Sequence, residues 1–93
     1  MSGFVRVGVR YYATLADAAG RQKEDVLFEG STLADLLAAL VSRYDGRISE
    51  VAKTAFSADG FYFVEVNGER ARDAGLVLRD GDEVSLLMPL VGG

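Results

Sequence analysis

Apolar and polar residues alternate along the first segment of the chain, residues 4–12. Residues on one side of the alternation are Val5, Val7, Val9 and Tyr11, and on the other Arg6, Gly8, Arg10 and Tyr12. A period of two, rich in β-branched and aromatic residues, is typical of a strand that buries one face. The pattern therefore predicts a first β-strand with its valines toward the core.

Two short elements are predicted before the main helix. Residues 13–20 (ATLADAAG) can form at most two helical turns, which Gly20 ends. Residues 25–29 (DVLFE) predict a second strand, and Gly30 marks the turn after it.

The main helix is predicted from an apolar stripe with helical spacing. Its members recur at i, i+3, i+4, i+7, i+8 and i+11, and are Leu33, Leu36, Leu37, Leu40, Val41 and Tyr44. Thr32 is the predicted N-cap, and Asp35, three residues later, can return its hydrogen bond as in a capping box. The pair Asp45–Gly46 is expected to end the helix.

A weaker helix and a third strand follow. Residues 47–56 place Ile48, Val51, Ala52 and Ala55 on one face, and residues 61–66 have strand composition. If Glu65 faces water, then Phe61 and Phe63 share its outer face, and Tyr62, Val64 and Val66 point inward.

Tight turns organise the last third of the chain. Asn67–Gly68 is a strong signal for a type I′ hairpin turn, so residues 69–72 are expected to return as a fourth strand. A second turn, at residues 80–82, precedes the last strand at residues 83–88, in which Val84, Leu86 and Met88 share one side. Pro89 has no N–H and ends that strand.

The predicted order is β-β-α-(α)-β-β-β in one domain of 93 residues. A helix with a single apolar stripe needs one sheet face to receive it. A two-layer α+β roll meets that need.

Composition narrows the chemistry. The chain has 10 Lys+Arg, 14 Asp+Glu, and no His or Cys. Without Cys there is no disulfide, thiol nucleophile or thiolate metal site, and without His the commonest general base is missing, so we predict no metal site. A net charge of −4 argues against nucleic acid or an anionic membrane as main partner. No spanning or targeting segment is visible, and we expect a cytoplasmic protein.

The terminal pair Gly92–Gly93 is the main candidate for chemistry, although it can also be a frayed tail. It follows the predicted last strand and the residues MPLV, so we expect an extended arm on a rigid body. Glycines pass through a narrow channel and allow any φ. Such an arm can deliver its carboxylate to a partner's active site, where ATP can activate it as an acyl-adenylate.

Four segments carry a family resemblance: VRYYATLADAAG (9–20), STLADLLAALVSRY (31–44), VNGE (66–69) and LRDGDEVSLLMPLVGG (78–93). With them the chain resembles the ubiquitin-like sulfur carriers of the molybdopterin synthase small subunit and thiamin sulfur-carrier family. The resemblance implies a β-grasp roll, with a mixed sheet of about four to five strands on one main helix. It also implies a body at residues 1–89 and a Gly-Gly arm at residues 90–93.

The resemblance implies a mechanism in which the chain is not catalytic alone. An E1-like enzyme uses ATP to adenylate Gly93, sulfur from a persulfide supplied by a sulfurtransferase replaces AMP, and a C-terminal thiocarboxylate results. As the small subunit of molybdopterin synthase, the carrier inserts its arm into the large subunit and donates sulfur there. Gly92 provides clearance, and no cofactor is bound to the carrier itself.

A docking face beside the arm is predicted from strand phase. Leu87 is expected to face outward beside Phe61 and Phe63, and the arm adds Pro89, Leu90 and Val91 to the surface a partner contacts. Alternatively, residues 45–60 cap the phenylalanines, or the phase is off by one. Pro89 can stiffen the arm or simply end the strand.

Three other functions remain open from the sequence. The sulfur acceptor can belong to another pathway, such as cysteine or thiamin synthesis. The activated Gly93 can form isopeptides as a protein modifier, for which Lys23 and Lys53 are the only internal lysines of the chain itself. The chain can also be a plain ubiquitin-like interaction domain whose glycines are incidental.

Overall fold

The computed structural model describes residues 3–12, 14–44, 46–56 and 62–88. These residues form five strands and three helices. In chain order they are β1 (Phe4–Tyr11), α1 (Thr14–Ala19), β2 (Lys23–Glu29), α2 (Leu33–Arg43), α3 (Arg47–Thr54), β3 (Phe63–Val66), β4 (Glu69–Arg70) and β5 (Glu83–Leu87). The predicted α+β class and the order of the strands and the two later helices are confirmed, and the short segment before β2 forms α1.

The strands form one mixed sheet in the order β2-β1-β5-β3-β4. The neighbours β1 and β5 are parallel, with Gly8 opposite Glu83 and Tyr11 opposite Leu86. All other neighbouring strands are antiparallel. The last strand therefore lies between the first and the third, in the interior of the sheet.

The core lies between the inner face of the sheet and the helices. Val7, Val9 and Tyr11 are buried, as the alternation predicts, and Val5 packs against them. The helices contribute the buried residues Leu15, Ala19, Leu33, Leu36, Leu37, Leu40, Ile48 and Val51. Ala55, which caps the end of α3, is buried with them. The predicted Leu stripe of α2 is thus confirmed as core, while Val41 and Tyr44 at its end are half-buried.

At the start of α2, the backbone N–H groups of its first four residues, 33–36, all donate hydrogen bonds. Thr32 and Asp35 form the predicted capping box, with the Asp35 N–H donating to Thr32 Oγ1. Leu33 N donates to the carbonyl of Leu76 and Ala34 N to that of Ala74, both at 2.9 Å. Leu36 N donates to the carbonyl of Thr32. The segment after β4 therefore closes the helix end that a helix alone leaves open.

That segment also explains why β4 is shorter than predicted. The expected strand covers residues 69–72, but β4 comprises Glu69–Arg70. Ala71 N makes one more bond, to the carbonyl of Val64, and the chain then leaves the sheet to reach the start of α2. Elsewhere β2 begins two residues earlier than predicted, and β1 and β5 end one residue earlier. In the described residues β3 begins at Phe63.

Candidate partner-docking site

β5 positions the candidate site, because the predicted arm continues from its end. Its residues alternate between buried Val84 and Leu86 and the outward Glu83, Ser85 and Leu87. The strand is held on both sides, by β1 and by β3. The predicted arm residues Pro89, Leu90, Val91, Gly92 and Gly93, as well as Phe61, lie outside the described residues.

Phe63 and Leu87 form what we call the outer-face patch. They stand opposite each other in the β3–β5 register, and both are half-buried. The paired neighbours Val64 and Leu86 are fully buried. This fixes the strand phase as predicted, with Tyr62 and Val66 packed against the core. Of the predicted docking residues, the structure thus brings two together, and their docking role stays a prediction.

A cation lies against this patch. The guanidinium carbon of Arg70, on β4, is 4.9 Å from the centre of the Phe63 ring. At that distance the ring attracts the cation through its quadrupole. Arg70 is exposed, so its donors are available at the rim of an apolar surface.

An ion pair lies on the same sheet face, one strand further along. Arg10 Nε is 2.7 Å from Glu83 Oε1, and both side chains are about half exposed. Arg10 is therefore already paired within the chain, and an exposed pair of this kind contributes little to stability.

A polar network fixes the β3–β4 turn to the start of β5. Asn67 Nδ2 donates to Asp82 Oδ1 at 3.0 Å, and Glu83 N donates to Asn67 Oδ1 at 2.9 Å. The other Asp82 oxygen accepts from Arg79 N. The sequence predicts the two turns separately, but the bonds between them depend on β3–β5 pairing, which no local pattern reveals.

A buried carboxylate to which no sequence pattern points lies on the inner side of β2, the side of the buried Val26 and Phe28. The side chain of Glu24 is only 5% exposed. Its Oε2 accepts from the hydroxyls of Tyr11, at 2.7 Å, and Tyr44, while Arg43 Nη1 lies 2.9 Å from Oε1. The rings of Tyr11 and Tyr44 meet edge to face. This cluster closes the core where α2 ends.

The cluster shifts the pKa values of its members. Burial raises the pKa of Glu24, but hydrogen bonds from Tyr44 and Tyr11 and the charges of Arg43 and Arg21 lower it more, so the net shift is downward. Burial and the hydrogen bond to Glu24 raise the pKa of both Tyr11 and Tyr44. The cluster is therefore a stabilised carboxylate with tyrosine donors, held by the fold.

The described part of the chain offers neither a metal site nor a membrane-spanning helix. No group of three or more His, Cys, Asp or Glu side chains there could hold a metal ion. None of the described helices is long and apolar enough to cross a membrane.

The sequence of this chain matches the model of a known protein family over most of its length. The model described as the ThiS family matches residues 9–93. Among curated protein sequences, none matches this chain.

Solved structures similar to this chain span nearly its whole length. SAMP1 from Haloferax volcanii is 32% identical, with 95% of this chain and 99% of that chain covered and a TM-score of 0.70. The putative molybdopterin converting factor, subunit 1, from Pyrococcus furiosus is 26% identical, with 92% and 99% covered and a TM-score of 0.74. A chain in the crystal structure of the Amycolatopsis orientalis BexX/CysO complex is 26% identical, with 94% of this chain and 99% of that chain covered and a TM-score of 0.71. The predicted β-grasp fold is confirmed.

Proposed function

We propose that this chain, which belongs to the ThiS family of ubiquitin-like sulfur carriers, donates sulfur for molybdopterin synthesis from a thiocarboxylate on Gly93. The observation that carries the proposal is the family match from residue 9 to residue 93, which includes the Gly92–Gly93 pair. The 26% identical structure from Pyrococcus furiosus, described as a molybdopterin converting factor subunit, favours this pathway.

The chemistry takes place at the carboxylate of Gly93. A carboxylate oxygen attacks the α-phosphorus of ATP, so that pyrophosphate leaves and an acyl-adenylate forms. A persulfide displaces AMP to give an acyl disulfide, and a second thiol then cleaves the S–S bond. The products are the thiocarboxylate on the carrier and a disulfide on the sulfur-supplying proteins.

All other reacting groups come from partner proteins. The chain has no Cys and no His, so it offers neither a side-chain thiol nor an imidazole base. The partners we propose are an E1-like adenylating enzyme, a sulfurtransferase and the large subunit of molybdopterin synthase. Because the first step consumes ATP, we propose the cytoplasm as its location.

The chain's own contribution is to bind and to position. β5 is bonded on both sides, so residues that follow Leu87 start from a fixed point. The outer-face patch lies at that point and supplies apolar area for a partner, with Arg70 at its rim. Gly92 has no side chain to obstruct a narrow channel. In this proposal the patch sets the orientation and the arm carries the reactive group.

A second candidate function is protein modification through the same adenylate. It is favoured by the 32% identity to SAMP1, a structure also described as a small archaeal modifier protein. In that case a lysine amine of a target attacks the acyl-adenylate, AMP leaves, and an isopeptide bond forms. Sulfur transfer in cysteine or thiamin synthesis starts from the thiocarboxylate and differs only in the acceptor.

Intact-protein mass spectrometry tests the central step. The full chain is incubated with ATP, an E1-like enzyme and a persulfide source, and a mass gain equal to the difference between sulfur and oxygen is expected. The matched control is the chain without Gly92 and Gly93, which keeps the folded body. Failure of the full chain to gain sulfur while it forms isopeptides would favour the modifier function.

The acceptor is tested separately with the thiocarboxylated carrier. Mixed with the molybdopterin synthase large subunit and the pterin precursor, it is expected to lose its sulfur as molybdopterin forms. If sulfur is lost only to an acceptor enzyme of cysteine or thiamin synthesis, the chain is a carrier for that pathway.

A further inference from the structure

The strand β2 lies at one end of the sheet, with β1 as its neighbour in the described sheet. Two bonds flank the β1–β2 pairing: Tyr11 N donates to the Gln22 carbonyl and Gly30 N to the Gly3 carbonyl. In an antiparallel pair, residues that bond to the neighbour alternate with residues that face away. The even-numbered residues of β2 therefore bond to β1, and the odd-numbered ones point their N–H and C=O groups to the free edge.

The four residues with free backbone groups are also the exposed ones. They are Lys23, Asp25, Leu27 and Glu29. Leu27 is 52% exposed, and Phe4, on the next strand and the same sheet face, is 59% exposed. An edge with unpaired groups and an exposed apolar side chain at its middle is a template for another strand.

We propose that the β2 edge pairs with the β2 edge of a second copy of this chain, antiparallel, about a two-fold axis at Val26. In that register Lys23 of each copy lies opposite Glu29 of the other, and Asp25 opposite Leu27. The N–H and C=O groups of these four residues all point to the free edge, so each can bond to the opposite residue of the other copy. Lys23 and Glu29 thus form two complementary pairs, one at each end of the seam, and Asp25 faces an uncharged side chain.

Neighbouring registers bring like charges together. A two-fold axis at Asp25 places this carboxylate opposite its own copy, and an axis at Leu27 places Asp25 opposite Glu29. Like charges directly opposite one another destabilise a strand pair, whereas opposite charges stabilise it. An axis at Glu24 also pairs Lys23 with Asp25 but joins only three residues of β2, whereas the axis at Val26 joins all seven. Charge complementarity and full overlap together therefore select the register centred on Val26.

The dimer joins the two sheets into one and brings the two Leu27 side chains to diagonal positions, about 7–8 Å apart. The outer-face patch lies on β3 and β5, away from the seam. Each copy therefore keeps its patch accessible, and the proposal does not depend on the proposed function. The seam is short, so we expect a transient dimer with a Kd of about 0.1–1 mM.

A zero-length carbodiimide cross-link tests the register in the unaltered full chain. Lys23 and Glu29 of one copy are six residues apart on an extended strand, about 20 Å, which no zero-length reagent can join. A Lys23–Glu29 linkage must therefore join two copies. In an equal mixture of ¹⁵N-labelled and unlabelled chain, mass spectrometry is expected to find this linkage in peptides of mixed isotope content.

Charge reversal tests the pairing in solution. Sedimentation equilibrium is expected to show Lys23→Glu and Glu29→Lys each weakening the dimer about tenfold, and the double variant K23E/E29K restoring it to within about twofold of wild type. Lys53→Glu, on α3, is the matched control and leaves the dimer unchanged. Each variant is checked for its folded NMR spectrum.

Several outcomes would overturn the proposal. One is a wild-type chain that stays monomeric at millimolar concentration. This outcome would also hold if the β2 edge binds a strand of another protein and not a second copy. Another is a dimer that both single reversals leave unchanged, or that a folded double variant fails to restore. A linkage between other residues with no Lys23–Glu29 peptide likewise excludes this register.

Discussion

Phe63 and Leu87 lie directly opposite each other across the antiparallel pair of β3 and β5. Their chain neighbours Val64 and Leu86 are fully buried, so both members of the pair are on the outer face of the sheet. The sheet itself holds these two apolar side chains together beside the end of β5. The patch can therefore be altered without removing any fully buried side chain.

Truncation of the patch is expected to weaken partner binding. We predict that Leu87→Ala raises the Kd for the activating enzyme about tenfold or more, as for a central contact of an interface. The matched control is Leu27→Ala, which removes an exposed leucine from the same face at the far edge of the sheet. Titration calorimetry measures both, and equal losses for the two variants would contradict a localised docking face.

Truncation inside the helix stripe is expected to affect stability instead. Leu37, at 3% exposure, packs in the core under α2. We predict that Leu37→Ala lowers the free energy of unfolding by about 2–5 kcal/mol, through lost burial and the cavity left behind. Ser42→Ala, at an exposed position of the same helix, is expected to change it by less than about 0.5 kcal/mol. Urea denaturation compares them, and equal midpoints for Leu37→Ala and wild type would be the contrary result.

Much of this fold could be predicted because its determinants are local. The alternation from Val5 to Tyr11, the Leu stripe of α2 and the Thr32–Asp35 capping box each lie within a few residues of sequence. The parallel pairing of Gly8 with Glu83 joins residues far apart in sequence. No local pattern states which strand will be the neighbour, so strand order and the position of β5 came only from the structure.

The buried Glu24 is expected to make stability depend on pH. The folded state lowers the pKa of this carboxyl from its ordinary value of 4.5. A lowered folded-state pKa contributes stability that is complete above about pH 4.5 and is lost as pH falls through the lowered value. We predict that Glu24→Gln is less stable near neutral pH and shows a smaller loss upon acidification.

Urea unfolding at a series of pH values between about 7 and 3 measures this difference. Glu69→Gln, which removes one exposed carboxylate from β4, is the matched control for the loss of a single negative charge. Parallel curves for Glu24→Gln and wild type would show that the cluster does not hold the charged form.

Two variants of Asn67, in the turn between β3 and β4, are expected to distinguish the cost of its backbone conformation from the contribution of its side-chain hydrogen bonds. Asn67 has φ 53° and Gly68 φ 86°, both in the left-handed region. Asn67→Gly keeps the left-handed freedom but loses the side-chain bonds to Asp82 and Glu83. Asn67→Ala loses the same side-chain bonds and also the conformational freedom. We predict that Asn67→Ala is the less stable of the two by about 1 kcal/mol in thermal or urea unfolding. Equal stabilities would contradict a conformational role for residue 67.

For the candidate site, the sequence predicted only which side chains of β3 and β5 face outward, because the alternation along a strand determines that. Alternation around Glu65 assigns Phe63 to the outer face, and the same argument assigns Leu87. The Arg70 cation over Phe63 depends on the β3–β4 pairing together with a side-chain rotamer, which a sequence pattern does not encode. Glu24 was missed because a strand glutamate is ordinarily exposed, and only the three-dimensional fold brings Tyr11 and Tyr44 to it.

The placement of β5 between β1 and β3 also has a mechanical consequence. A pull on the residues that follow Leu87, such as the proposed insertion of the arm into a partner would exert, acts along the strand. Such a force shears the bonds to two neighbouring strands at once rather than peeling them one by one from an edge. We therefore expect the body to bear tension on its C-terminal side and to remain folded through the cycles of loading and delivery that the proposed function requires.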